Sequence, residues 1–164
     1  MTNVRALVSV ALAGLMCLVV AVPARADATA FIGANTTPKN RQVRGFSAGL
    51  GLLLVVAFEF EYANTTDDLT AQVPSLKTGS GNVLLQTPVP VFGVQPYVTT
   101  GAGYYSETLG ARTDQGFGYN TGGGVKISLA GPLRVRVDYR VFKLGSSALY
   151  SPAHRVYVGL NLKF

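Results

Sequence analysis

The sequence is poor in the residues on which most redox, metal and nucleophilic chemistry depends. Among its 164 residues there are one cysteine, Cys17, one histidine, His154, and no tryptophan. Cys17 lies in an N-terminal segment that we expect to be removed, so the mature chain would contain no cysteine. Disulfides, iron–sulfur clusters and thiolate metal sites are thereby excluded, and we expect no cofactor and no bound metal.

Charged residues are also scarce, at 13% of the chain, whereas apolar residues make up 48%. Beyond residue 26, however, no apolar run approaches the roughly 18 residues that a membrane-spanning helix needs. The longest run, 48–58, stops at Glu59. High apolarity without a helical span is typical of a barrel whose outer surface faces lipid and whose lumen is polar.

Residues 1–26 have the layout of a cleavable export signal. Arg5 supplies positive charge near the amino end, 6–22 form an apolar stretch, and Ala24-Arg25-Ala26 is a small-residue cleavage site. We therefore expect cleavage before Asp27. An uncleaved N-terminal anchor is the alternative, but this apolar stretch is at the short limit for a transmembrane helix.

The remaining domain, 27–164, alternates apolar and polar residues. The alternation is clearest at 132–144 and 154–164, where one face of each segment is apolar and the other carries the charge. The segments at 53–64 and 115–129 repeat the pattern, and none of the four fits a helical period. We predict an all-β fold, an antiparallel up-and-down transmembrane barrel of about eight strands.

Strands and connections follow from the same pattern. The predicted strands cover 28–35, 43–52, 53–64, 80–89, 94–105, 115–129, 132–144 and 154–164. Tight turns are expected at 51–52, 88–93 and 130–132. Longer polar loops are expected at 36–42, 65–79, 106–114 and 145–153. Short turns at one end and long loops at the other are typical of outer-membrane barrels, whose long loops are extracellular.

The charged residues of these strands lie on the face opposite the apolar one, which in such a barrel is the lumen. The predicted lumen set is Glu59, Glu61, Lys126, Arg134, Arg136, Asp138 and Arg140. An eight-stranded lumen is just wide enough for side chains to fill, and its third and seventh strands lie opposite each other. We expect the two glutamates to pair across it with seventh-strand arginines, chiefly Arg136 and Arg140, in an ion network that plugs the barrel. An ion-selective constriction is the alternative.

Two other features of the sequence do not indicate a bound ligand. Gly122-Gly123-Gly124 lacks the spacing of a phosphate-binding loop and is better explained by strand curvature. Removing Arg5 and Arg25 from the 14 basic residues leaves 12 against 8 acidic ones. Because most of these cations alternate with apolar residues rather than forming a run, no nucleic-acid partner is expected.

The last eight residues carry a specific signature. The polar Tyr157, Gly159, the apolar Leu162 and the terminal aromatic Phe164 have the spacing of the assembly signal of bacterial outer-membrane barrels, which they resemble. The whole domain resembles the small OmpA/OmpX-type barrels. This resemblance implies export through the inner membrane of a Gram-negative bacterium, insertion into the cell outer membrane by the barrel-assembly machinery, and contact with outer-membrane lipid and lipopolysaccharide. No peptidoglycan-binding domain follows Phe164, so wall anchoring is not expected.

The sequence therefore predicts a non-enzymatic outer-membrane barrel with exposed loops, a charge-plugged lumen and a structural or surface-interaction role. A narrow pore for small ions or small apolar molecules is the first alternative, because lumen charges can gate as well as plug. The second is a lipid A-modifying barrel enzyme, since such enzymes use His and Ser near the rim and His154 lies near Ser151. The sequence offers no positioned acid partner for them. A soluble lipocalin-like barrel would instead place apolar residues inside and charges outside.

Overall fold

The computed structural model describes residues 25–146 and 148–164. The predicted export signal lies almost wholly outside the described residues. Its last two residues, Arg25 and Ala26, are described and belong to the first strand. No helix in these two ranges is long and apolar enough to cross a membrane.

Eight antiparallel strands form one sheet that closes on itself. The strands are β1 (Arg25–Asn35), β2 (Arg41–Gly51), β3 (Val56–Thr65), β4 (Ser75–Gln86), β5 (Val94–Leu109), β6 (Arg112–Ala130), β7 (Leu133–Lys143) and β8 (Ala153–Lys163). Each strand pairs with its sequence neighbours, and β1 pairs with β8. Closure removes the unpaired edges that an open sheet would expose to lipid. The predicted all-β, eight-stranded, up-and-down barrel is confirmed.

The strands are staggered around the barrel. A row of paired residues that starts at Ala30 reaches Tyr104 on β5 in one direction and Val94 in the other. Such a stagger requires the strands to tilt against the barrel axis. Residues at the same position along different strands are therefore at different heights, which sequence position alone does not show.

The connections differ from their predicted lengths at several points. The turns at 52–55, 87–93 and 131–132 lie at the end that also carries both described termini, which is the periplasmic end.

The predicted loop at 106–114 is wrong. There β5 and β6 continue as a paired hairpin that turns at 110–111, where Gly110 has φ of +58°, the conformation that a two-residue hairpin turn requires.

Polarity caused this error and a second one at β4. Beyond the membrane the outward face of a strand meets water instead of lipid, so the apolar alternation stops although backbone pairing continues. The strand β4 likewise begins at Ser75, five residues before the predicted start, and pairs there with the end of β5. The loop between β3 and β4 is correspondingly shorter, at 66–74.

The distribution of side chains is the reverse of that in a soluble protein. On β8, Val158 is 50% exposed, whereas Arg155 and Asn161 on the opposite face are fully buried. The same inversion holds in the other strands, where four exposed tyrosines face outward: Tyr62, Tyr104, Tyr119 and Tyr139. Apolar side chains outside and charges inside rule out the lipocalin-like alternative.

Candidate functional site in the lumen

All seven residues of the predicted lumen set are buried inside the barrel. The structure divides them into two groups rather than one network. A central group joins Glu59 and Glu61 of β3 to the β7 residues from Arg136 to Arg140. Lys126 and Arg134 form a separate group at the periplasmic end.

Arg136 is the junction between β3 and β7. Its two terminal nitrogens donate to both carboxylate oxygens of Glu59, one of them at 3.2 Å. One of the same nitrogens lies 2.9 Å from Asp138. This forked geometry suits a guanidinium, which presents parallel N–H groups to a planar carboxylate.

Arg140 connects all three central carboxylates. It donates to Glu59 at 2.7 Å and to Asp138 at 3.0 Å, and it lies 3.2 Å from Glu61. Both predicted cross-lumen partners of the glutamates, Arg136 and Arg140, are therefore in contact with β3 carboxylates. Because buried charges are costly unless paired, this arrangement holds opposite walls of the barrel together.

Three further side chains complete the central group. The predicted lumen set did not include them. Arg155 donates to Glu61 at 3.2 Å and to Thr78 at 3.0 Å. The hydroxyl of Tyr157 donates to Glu61 at 2.9 Å, and the hydroxyl of Tyr97 donates to Asp138. With Arg155 included, three guanidinium groups face three carboxylates. The alternation of β8 placed Arg155 and Tyr157 on the polar face, so that signal was present in the sequence.

Asp27 organises the periplasmic group. It accepts from Lys126 at 2.5 Å and from Arg134 at 3.1 Å. Arg134 also donates to Asn161 at 2.7 Å and to Gln95 at 3.2 Å. A cavity of about 40 Å³ lies beside this group, room for very few waters. In the sequence, Asp27 is distinguished only as the first residue after the predicted cleavage site.

An apolar cluster lies in the lumen at the extracellular end. Its buried members are Leu76, Tyr105, Phe142, Leu144 and Ala153, here called the apolar cap. The cap contacts the central group directly, since the guanidinium carbon of Arg155 lies 4.3 Å from the centre of the Phe142 ring. On the extracellular side of the central ionic group, the lumen is therefore filled by a second, apolar layer. No residue pattern predicted the cap, because part of it lay in segments expected to be loops.

The residues of the predicted assembly signal have different environments. Tyr157 faces the lumen, and Gly159 lies where an added Cβ would come within 2.7 Å of the Ala30 carbonyl oxygen. Leu162 and Phe164 are exposed on the outside, and the Phe164 amide donates to the Ala26 carbonyl at 2.8 Å. The glycine is thus required by close strand packing, whereas the terminal aromatic ring is open to a partner.

The rim residues weighed for catalysis are bonded to other groups. The Nδ1 atom of His154 shares a hydrogen bond of 2.6 Å with the hydroxyl of Tyr139. The hydroxyl of Ser151 accepts from the Leu144 amide at 3.1 Å. Among the described residues, these two side chains have no hydrogen bond to each other and none to a carboxylate.

The run of glycines in β6 is explained by packing. A Cβ at Gly122 or Gly124 would lie 2.2 Å from a backbone carbonyl oxygen of β7. Side chains at these positions would push the two strands apart. The run needs no bound phosphate to account for it.

One loop carboxylate is held by its own loop. The Asp68 carboxylate accepts from the Ala71 amide at 3.0 Å and lies 3.5 Å from Nζ of Lys39. The pKa of Asp68 is lowered, mainly by the hydrogen bond from Ala71 and further by the positive charge of Lys39. Ionised Asp68 therefore favours the folded form of the loop at 66–74.

Several solved structures share this barrel architecture. The N-terminal barrel domain of Pseudomonas aeruginosa OprF has a TM-score of 0.66 and 17% identity, over 85% of this chain and 97% of that one. Neisserial surface protein A has a TM-score of 0.59 and 14% identity, over 85% and 94%. Yersinia pestis Ail in a nanodisc has a TM-score of 0.53 and 14% identity, over 87% and 100%. At these identities the likeness shows the fold.

Similarity to a protein family identifies this chain more specifically than its fold does. No curated protein sequence matches the chain significantly. The model of the outer membrane protein beta-barrel domain, however, matches residues 11–164. This match covers nearly the whole chain and agrees with the closed barrel and its apolar exterior. The chain is an outer-membrane protein and belongs to the outer membrane protein beta-barrel domain family.

Proposed function

We propose that this protein is a non-enzymatic outer-membrane barrel with a closed lumen and a structural or surface-interaction role. The main support for this proposal is that two successive layers of side chains fill the lumen. The central group balances three guanidinium groups with three carboxylates, and the apolar cap lies directly on its extracellular side.

The two layers oppose ion passage by different physical means. An ion crossing the central group would have to separate ion pairs whose side chains are fully buried. An ion crossing the apolar cap would have to lose its hydration among apolar side chains, as in hydrophobic gates. Either layer alone impedes a hydrated ion.

The extracellular hairpin supports a role at the cell surface. The strands β5 and β6 have 16 and 19 residues, whereas roughly 9 to 11 suffice to span a membrane. The additional residues remain paired up to the turn at 110–111. The hairpin therefore projects as an ordered element rather than a loose loop, a form suited to contact with a partner outside the cell.

Conductance in planar lipid bilayers tests the closed lumen. We expect the wild-type protein to be silent, and Glu59→Ala to remain silent because the apolar cap persists. Combining Glu59→Ala with Phe142→Ala removes material from both layers and should produce measurable ion conductance. Val98→Ala on the lipid-facing side of β5 is the control and should have no effect.

Steady conductance of the wild-type protein would contradict the proposal and favour a narrow pore. Conductance of Glu59→Ala alone would show that the ionic layer is the only barrier. Hydrolysis or acyl transfer on lipid A by the purified protein, abolished by His154→Ala, would instead favour the enzyme alternative.

A further inference from the structure

Positive charge on the outer surface of the barrel is concentrated near its extracellular end. Arg44 on β2 and Lys77 on β4 are exposed and lie on the face that points away from the lumen. Among residues 25–146 and 148–164, neither side chain takes part in an ion pair. Their charges are therefore available to a partner at the membrane surface.

The two cations belong to one row across three strands. Arg44 is directly opposite Asn64 on β3, and Asn64 is directly opposite Lys77 on β4. Since neighbouring strands lie roughly 4.8 Å apart, the backbones of the two cations are about 10 Å apart with the Asn64 amide between them. Long side chains at that spacing can converge on one tetrahedral anion.

Two aromatic side chains lie on the same face, on the periplasmic side of this row. Phe46 and Tyr62, each two residues nearer the periplasm, are opposite each other, and their rings are 5.7 Å apart. Both rings are exposed, at 52% and 36%. The row thus lies where the apolar belt of the barrel ends and the headgroup region of the outer leaflet begins.

Among the described residues, no carboxylate lies on the outward face of a strand. Six of the eight acidic residues point into the barrel or its hairpin interior, at Asp27, Glu59, Glu61, Glu107, Asp114 and Asp138. The other two, Asp67 and Asp68, lie in the loop at 66–74. The outward faces of the described strands therefore carry cations without compensating acids, which complements an anionic leaflet.

We propose that Arg44, Asn64 and Lys77 form a binding site for a phosphate group of a phosphorylated glycolipid of the lipid A type in the outer leaflet. Arg44 supplies a planar fork for the phosphate oxygens, Lys77 supplies a point charge, and Asn64 donates a hydrogen bond. The acyl chains of the same molecule lie along Phe46 and Tyr62. This site is independent of whether the lumen is closed.

Binding can be measured by native mass spectrometry of the folded protein in a zwitterionic detergent, titrated with bisphosphorylated lipid A. We expect one tightly retained lipid on the wild-type protein. The double variant Arg44→Gln/Lys77→Gln should bind about 30-fold more weakly, because each cation near an anionic lipid surface contributes roughly a factor of five. The charge-preserving variant Arg44→Lys/Lys77→Arg should retain most of the affinity.

Two controls separate this site from general charge attraction. Arg112→Gln/Lys143→Gln removes the same charge elsewhere on the extracellular half and should change the affinity less than twofold. Dephosphorylated lipid A should bind all variants equally weakly, and inorganic phosphate should not compete, because it lacks acyl chains.

Three results would overturn the proposal. The first is equal loss of binding in both double variants, and the second is equal binding of phosphorylated and dephosphorylated lipid A. Full competition by inorganic phosphate would place the anion at a site unrelated to lipid. Circular dichroism and heat-dependent gel mobility establish that each variant is folded before it is titrated.

Discussion

Glu61 offers the sharpest test of the ionic layer, because its loss affects the central arginines unequally. Arg140 keeps contacts with Glu59 and Asp138 when Glu61 is removed. Arg155 keeps no carboxylate contact and retains only Thr78 among its hydrogen-bond partners. Tyr157 also loses the acceptor of its hydroxyl.

The loss of folding free energy in Glu61→Ala follows from these lost and retained contacts. Removing one partner of a fully buried ion pair typically costs about 3 to 5 kcal/mol, because the remaining charge stays buried without compensation. We expect Arg155→Ala to have a similar cost for the same reason. In the double variant neither charge is orphaned, so the two losses should overlap, with a coupling energy near the upper end of the usual range of about 0.5 to 3 kcal/mol.

Reversible urea-dependent folding into lipid vesicles measures these free energies. Heat-dependent mobility on gels reports the folded fraction, since the chain has no tryptophan for fluorescence. Glu61→Ala combined with Arg134→Ala is the reference cycle, because Arg134 bonds the periplasmic group and should be additive with Glu61. Ser80→Ala is the burial control, as its hydroxyl has no hydrogen-bond partner among the described residues. Additive free-energy changes for Glu61→Ala and Arg155→Ala would refute a specific pairing between these two side chains.

Three further outcomes are expected. Val158→Arg near the bilayer midplane should cost about 2 to 4 kcal/mol of folding free energy in vesicles. Leu162→Arg near the periplasmic surface should cost only about 0 to 1 kcal/mol. Equal costs would contradict the assigned depths of the two residues. Deleting Phe164 should lower outer-membrane levels in cells more than folding into detergent, because its exposed ring is free for the assembly machinery; unchanged cellular levels would argue against that use. Ionised Asp68 stabilises its loop at pH values above the ordinary carboxyl pKa of about 4, and this stabilisation is lost as pH falls through its lowered folded pKa. Proteolysis within the loop should therefore accelerate at acid pH in the wild-type protein but not in Asp68→Asn, and equal pH profiles would contradict this.

The barrel and its lumen-facing residues could be predicted because their signal is local. In a strand, successive side chains point to opposite faces, so the alternation around Val158 and around Arg136 assigns each residue to lipid or lumen without knowledge of its partner. The same rule applied to β8 would have added Arg155 and Tyr157 to the lumen set. Strand ends were less predictable, because β5 and β6 continue into water, where alternation no longer has an energetic basis.

Partners across the lumen were decided only by the tertiary structure. The stagger of the closed sheet sets the height at which each side chain enters the lumen, and stagger is a property of all eight pairings together. It brings Glu61 beside Arg155, and it separates Lys126 and Arg134 from the central group and places them beside Asp27. The sequence by itself determined which face each of these residues occupies, since that depends on one strand. Closure of the sheet determined which of them meet, since contact across a barrel depends on every strand between them.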